Sequence, residues 1–274
     1  MGFPQTRLTL IRRLAEGGSS ADWQNFMRDY WRPVCRFAKS RAPISWTDAE
    51  DVTAQVFQIL WESGLLGRWS NNPTARLRTM LCSVARNVLS NDARVRLGRQ
   101  RLLREHGPSV VNSPGSPLIS SDAEDDDESR LFYAAWVQEL LQRAIDELLV
   151  EFQSQHRLNE FRTLFGRLCD GMSLPEIATA LDEELTAIER YNRHSRERLR
   201  EKLQSLVRQH VESYAEAEQL DAEFRSEWQL LGAYLQEFGG LEGAVQLAYE
   251  RIDQPTRSAR QADVMKGLPK NSAR

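Results

Sequence analysis

The side chains in this chain that could do chemistry are cations and amides, and they come in groups. Ser173 to Leu203 has the spacing of two helices around a turn, Asp182-Glu183-Glu184. Ile177, Ala178 and Leu181 supply the apolar positions of the first helix, and Leu185, Ile188, Tyr191 and Leu199 those of the second. The second helix carries Arg190, Arg193, Arg196, Arg198, Arg200 and Lys202. Cations at that density neutralise phosphates, and arginine also reads the acceptor edge of guanine. The pattern is that of a helix-turn-helix, in which one helix braces the other against the major groove. A helical hairpin with a solvated basic face fits the same residues. A second cationic segment, Arg76 to Arg104, holds eight arginines against one acid, Asp92.

The segment Asp48-Ala-Glu-Asp-Val-Thr-Ala-Gln-Val-Phe-Gln-Ile-Leu-Trp61 adds a polar stripe of Asp51, Gln55, Gln58 and Glu62 beside Phe57 and Trp61. By itself such a stripe reads first as a solvated face. No P-loop, HExxH, GxSxG or paired Cys/His motif is present, so the expected role is binding and not catalysis. The three cysteines, Cys35, Cys82 and Cys169, are far apart, which points away from a disulfide framework or zinc cluster and towards a reducing, cytoplasmic setting. No apolar run reaches 18 residues, so no membrane insertion is expected. The net charge of −3 is silent on nucleic acid; the segregation of charge is what speaks.

The elements that must position these groups read as helices throughout. Ala49, Val52, Val56, Ile59 and Leu60 recur at helical intervals, and Thr47-Asp-Ala-Glu50 predicts a capping box at the start of that helix. Ser173-Leu-Pro-Glu176 predicts another, with Pro175 tolerated in the first turn. Thr186-Ala-Ile-Glu189 is a third candidate, which would start the second helix of the pair two residues late. Phe132, Trp136, Leu140, Leu141, Ile145, Leu148 and Leu149 form one stripe, and a further helix is predicted near Leu158 to Cys169. Between the halves, a Pro/Ser/Gly stretch and the acids Asp122 to Glu128 predict a flexible linker over 107–130. The expected class is all-α: a helical domain over 1–106, the linker, a helix-turn-helix domain over 131–211 and a helical extension over 212–274. In the extension, Tyr214, Phe224, Trp228, Leu231, Tyr234, Leu235 and Phe238 form an apolar face expected to pack on the preceding domain. A break is expected at Gly239-Gly240 and fraying from Gln254 onward.

In that order these pieces resemble the extracytoplasmic-function class of bacterial RNA polymerase sigma factors. The likeness covers about residues 5–210. It rests on Asp48 to Trp61, the loop Arg68 to Thr74, the helix Leu81 to Asn87, the linker and the Ser173 to Leu203 pair. It implies that Asp48, Asp51, Gln55, Gln58 and Glu62 dock on the clamp helices of the polymerase's largest subunit. It implies that Trp69, Asn71 and Asn72 hold a flipped base of the −10 element, with Arg76, Arg78, Arg86, Asn87 and Arg94 as further contacts to the melted strand. The −35 duplex would be met by Thr186, Arg190, Tyr191, Arg193, His194 and Arg196. Core RNA polymerase and promoter DNA are the implied partners, an anti-sigma or other regulatory protein is a further candidate, and no cofactor or metal is implied. The turn departs from the family pattern: Asp182 to Glu184 and Glu189 place acids at the end that would face phosphate. The extension also runs past the family's usual end. A stand-alone helix-turn-helix regulator is the alternative reading.

Overall fold

The computed structural model describes residues 9–71, 77–105, 122–252 and 254–264, and their side chains except at 94–105, 122–128 and 263. The described residues are helical, with no strand among them. They divide into two compact units, Met1–Trp136 and Val137–Arg274.

The first unit is built on α1 (Leu10–Ala15), α2 (Ser20–Arg41), α3 (Trp46–Glu62), α4 (Leu65–Asn71) and α5 (Leu77–Glu105), with the first part of α6 (Asp122–Ser154). Its core is aromatic. Phe26 of α2 lies 4.9 Å from Tyr30 and 5.6 Å from Phe57 of α3, centroid to centroid, while Phe37 meets Phe132 at 5.4 Å. Val52, Val56 and Leu60 of α3 and Leu81, Ala85 and Val88 of α5 complete it.

Helix α3 begins earlier than its sequence suggests. Ser45, not Thr47, is the N-cap: its hydroxyl accepts from the Asp48 N–H at 3.0 Å, and the Asp48 carboxylate accepts from the Ser45 N–H at 3.1 Å. Two capping boxes overlap in this stretch. The earlier start adds Trp46 to the helix and lets its indole N–H donate to Glu50 at 3.0 Å. Gly64, at φ 63°, ends the helix in a backbone region open to glycine. The chain then re-enters α4, which packs on α1 and buries Leu66. Arg68 to Asn71, expected as loop, are therefore helical; 72–76 lie outside the described residues.

The acids 122–128 fall within α6, not in a linker, and the division between the units falls at Trp136/Val137 of that helix. Carboxylates in the first turns of a helix are favoured by its dipole. Residues 106–121 of the expected linker lie outside the described set.

The second unit comprises the rest of α6, α7 (Leu158–Leu168), α8 (Leu174–Leu181), α9 (Leu185–Glu212), α10 (Leu220–Glu237), α11 (Gly240–Glu250) and α12 (Gln254–Val264). The extension packs on the unit, as its aromatic content suggests: α10 lies along α9, and α11 against α7. Phe165 and Tyr249 meet edge to face at 5.4 Å. Gln138 and Gln142 both donate to the Ala248 carbonyl at 3.3 Å, satisfying an acceptor near the end of α11. Gly239 and Gly240, at φ 81° and 82°, make the expected break. Gln254–Val264, expected to fray, form α12 instead, and 265–274 lie outside the described residues. Val264 is buried on α12, its carbonyl accepts from Arg162 at 2.9 Å, and Arg260 pairs with Asp146 at 2.9 Å. The cleft of about 60 Å³ that α12 closes is far below the roughly 300–1,000 Å³ of a small-molecule site.

Candidate nucleic-acid interface

In the first unit, α3 turns Ala49, Val52, Val56, Phe57 and Leu60 inward. Asp51, Gln55, Gln58 and Glu62 follow one another at i, i+4, i+7 and i+11 and are all exposed, with Gln58 donating to Glu62 at 2.9 Å. Asp48 stands apart from them, because its carboxylate closes the cap. Phe57 belongs to the core, whereas Ile59, expected inside, is exposed. Trp61 is 63% exposed, its ring stacked on Trp23 at 4.9 Å. The exposed face is thus an acidic and amide stripe with an indole at one end.

Five of the eight −10 candidates have described side chains, and they fall on α4 and α5. Trp69 is half-buried on α4 and Asn71 is exposed at the end of that helix. Arg86 and Asn87 are half-buried on α5. Arg94 is on α5, but its side chain, like Asn72 and Arg76 as a whole, lies outside the described set. Arg78 is buried, with its guanidinium 4.5 Å above the Tyr133 ring and 5.9 Å from that of Trp136. It therefore acts as a packing cation in this unit and is withdrawn from the surface. Arg78→Ala is expected to destabilise the unit by about 1–2 kcal/mol, through the lost cation–π contact and buried stem. Chemical denaturation would measure this; an unchanged midpoint would contradict the assignment.

In the second unit, α8 and α9 form the expected pair. Ser173 caps α8: its N–H donates to Glu176 at 2.7 Å, and its hydroxyl accepts from the Glu176 N–H at 3.4 Å. Asp182, at φ 53° and ψ 47°, makes the left-handed turn. Leu185 opens α9 directly, with Glu184 as N-cap, so Thr186 and Glu189 form no capping box and the helix is not shortened. Ile177, Ala178, Leu181 and Ile188 bury the contact between the two helices, and Tyr191 packs against them. The acidic turn is tied to α7, since Glu183 accepts from Asn159 at 3.1 Å.

The basic residues of α9 separate onto two faces. At 3.6 residues per turn, Thr186, Glu189, Arg193, Arg196 and Arg200 share an outer stripe with Arg190 and Glu197 at its edge. Thr186, Glu189, Arg190, Arg193, Glu197 and Arg200 are exposed, and Arg193 and Arg200 make no ion pair among the described residues. Arg198 and Lys202 point instead at α6. Arg198 bonds the Glu151 carboxylate at 3.0 Å from Nε, and the Lys202 ammonium lies 3.2 Å from the same carboxylate. His194 meets Glu160 of α7 at 2.7 Å, and Glu160 also takes a two-pronged contact from Arg157 at 2.7 and 2.8 Å. Of the six −35 candidates, Thr186, Arg190 and Arg193 are therefore presented outward. Tyr191 and His194 brace α9, and Arg196 lies on the stripe but is paired. Arg200 belongs with the presented group; its i+7 spacing from Arg193 was the available signal.

Glu151 shows how tightly the inner face is bound. Burial raises its carboxyl pKa, but the hydrogen bonds and charges of Arg198 and Lys202 outweigh that and leave it below the ordinary 4.5. Because the folded value lies below the unfolded one, the stabilisation is fully present above about pH 4.5 and is lost as pH falls through the folded value. Glu151→Gln is expected to lower the melting temperature at neutral pH, with the gap from wild type closing in acid. A gap independent of pH would refute the pairing. The three cysteines are free and buried, and burial pushes the thiols of Cys35 and Cys169 up, away from the reactive thiolate. Among the described residues no His/Cys/Asp/Glu group of metal-site size is present, and no helix is long and apolar enough to cross a membrane.

Compared with known proteins, the chain matches no family model, no curated protein and no solved structure.

Proposed function

We propose that the chain is a promoter-recognition factor of the sigma type, which docks on core RNA polymerase and directs it to initiate at particular promoters. In this reading the first unit binds polymerase through the exposed stripe of α3 and meets the melted −10 strand with α4 and α5. The second unit anchors the −35 duplex with α9. The observation that carries the reading is the division of α9. One set of cations is bound to the body of the unit, while Arg190, Arg193 and Arg200 stand exposed on a helix braced by α8, as a major-groove reader requires. Two modest DNA contacts in one chain raise each other's effective concentration, so neither has to be strong alone.

The test is reconstitution. The purified chain is mixed with core polymerase and a template pool enriched by binding to the complex. Initiation from a defined start site that requires the chain is the expected result. Failure to initiate on every enriched template, with core enzyme shown to be competent, refutes the reading. Tight duplex binding by the free chain together with that failure would instead identify a stand-alone helix-turn-helix regulator.

A further inference from the structure

Among the described residues, Arg196 is the one arginine of the outer stripe that makes an ion pair, and its partner comes from the extension. Glu242, in the first turn of α11, bonds the Arg196 guanidinium through one carboxylate oxygen and Arg167 of α7 through the other, at 3.2 Å. Arg167 also donates to the Met172 carbonyl at 3.3 Å, at the entry to α8. One carboxylate thus bridges the helix that supports the helix-turn-helix and the helix that would read DNA. All three side chains remain more than one-third exposed, so solvent and a phosphate can reach them.

The charge balance gives this bridge its consequence. Four arginines, 190, 193, 196 and 200, stand against Glu189 and Glu197 on the outer face, which leaves +2. Glu242 takes Arg196 out of that set, while sharing its other oxygen with Arg167. A DNA phosphate approaching Arg196 meets a carboxylate already in the place it would occupy, and like charges repel at that distance. We propose that Glu242 makes the extension an autoinhibitory element: it holds Arg196 in place of a backbone phosphate and weakens duplex binding until the pair is broken. This rests on the DNA-binding reading of α9. By linkage, whatever draws α11 away from the α7–α9 seam raises duplex affinity by the same factor with which DNA loosens α11.

The experiment follows binding of the full-length chain to a labelled random-sequence duplex by anisotropy, over a salt titration. E242Q, which keeps the side chain's shape and removes its charge, should bind more tightly and with a steeper salt dependence. One added phosphate contact changes the slope of log K against log [salt] by about 0.9, which is about eightfold at 0.1 M salt relative to 1 M. R196A should matter little in the wild-type background and should abolish the gain in E242Q. Circular dichroism and melting of each variant separate affinity from folding, and Glu242→Asp, charged but one methylene short of bridging both arginines, should fall between wild type and E242Q. Equal affinity of wild type and E242Q overturns the proposal, as does an R196A effect of the same size in both backgrounds. If in those cases R193A still weakens binding, the DNA reading of α9 stands without the autoinhibition; if R193A and R200A leave duplex binding unchanged in every background, that reading fails as well.

Discussion

Arg193→Ala is expected to reduce initiation from a promoter with an intact −35 element by about ten- to a hundredfold, and to leave a promoter with a mutated −35 element almost unaffected. The size follows from position. Arg193 sits at the centre of the outer stripe of α9, exposed and without an ion pair among the described residues, so alanine costs the fold little. A guanidinium in that place can take the bidentate contact to guanine that is worth about 1–3 kcal/mol of discrimination. Arg198→Ala is the contrasting control. It removes the partner of a partly buried Glu151, so it should lower the melting temperature without relaxing the choice of promoter. Equal initiation by wild type and Arg193→Ala on both promoters would remove α9 from the recognition role.

The second large effect is expected from Asp51→Arg combined with Gln55→Ala. Both residues are exposed on successive turns of α3, opposite the buried Val52 and Val56, so neither substitution opens a cavity. Stability should change by no more than about 0.5 kcal/mol. If this stripe docks its carboxylates on a basic face of core polymerase, a charge reversal at Asp51 places like charges together, at a cost of several kcal/mol. Association in a pull-down should therefore fall at least about tenfold, with the far-ultraviolet dichroism unchanged. Undiminished association would exclude this face from the interface. The indole of Trp61, stacked on Trp23 and open to solvent, gives a fluorescence signal on the same helix to follow docking directly.

These predictions draw on two kinds of legibility. Helix type and approximate position could be read along the chain, because hydrophobic spacing and short capping motifs involve only residues three or four apart. The Ser173–Glu176 cap, the turn at Asp182 and the glycine break at 239–240 are local in this way. Where two local signals overlapped, as at Ser45–Asp48 and Thr47–Glu50, the earlier box closed and lengthened the helix by two residues. Helix α4 escaped the sequence reading for a related reason. Its seven residues have weak local preference and are held by burial of Leu66 and packing on α1, which is distant in sequence.

What the sequence alone determined was an all-helical chain, a braced helical pair near its C-terminal third and a run of cations on the second helix of that pair. Which of those cations are free to meet a ligand was decided by tertiary structure. Charge is a property of a residue, but availability depends on what stands opposite it. Glu151 and Glu160 take Arg198, Lys202 and His194 from one side of α9. Glu242, some 46 positions away, takes Arg196 from the other. Arg78 looks like any DNA-facing arginine until Tyr133 and Trp136 close over it. Pairings across such sequence distances have no local signature, because they arise only when packed helices bring opposite charges, or a cation and a ring, within a few ångströms.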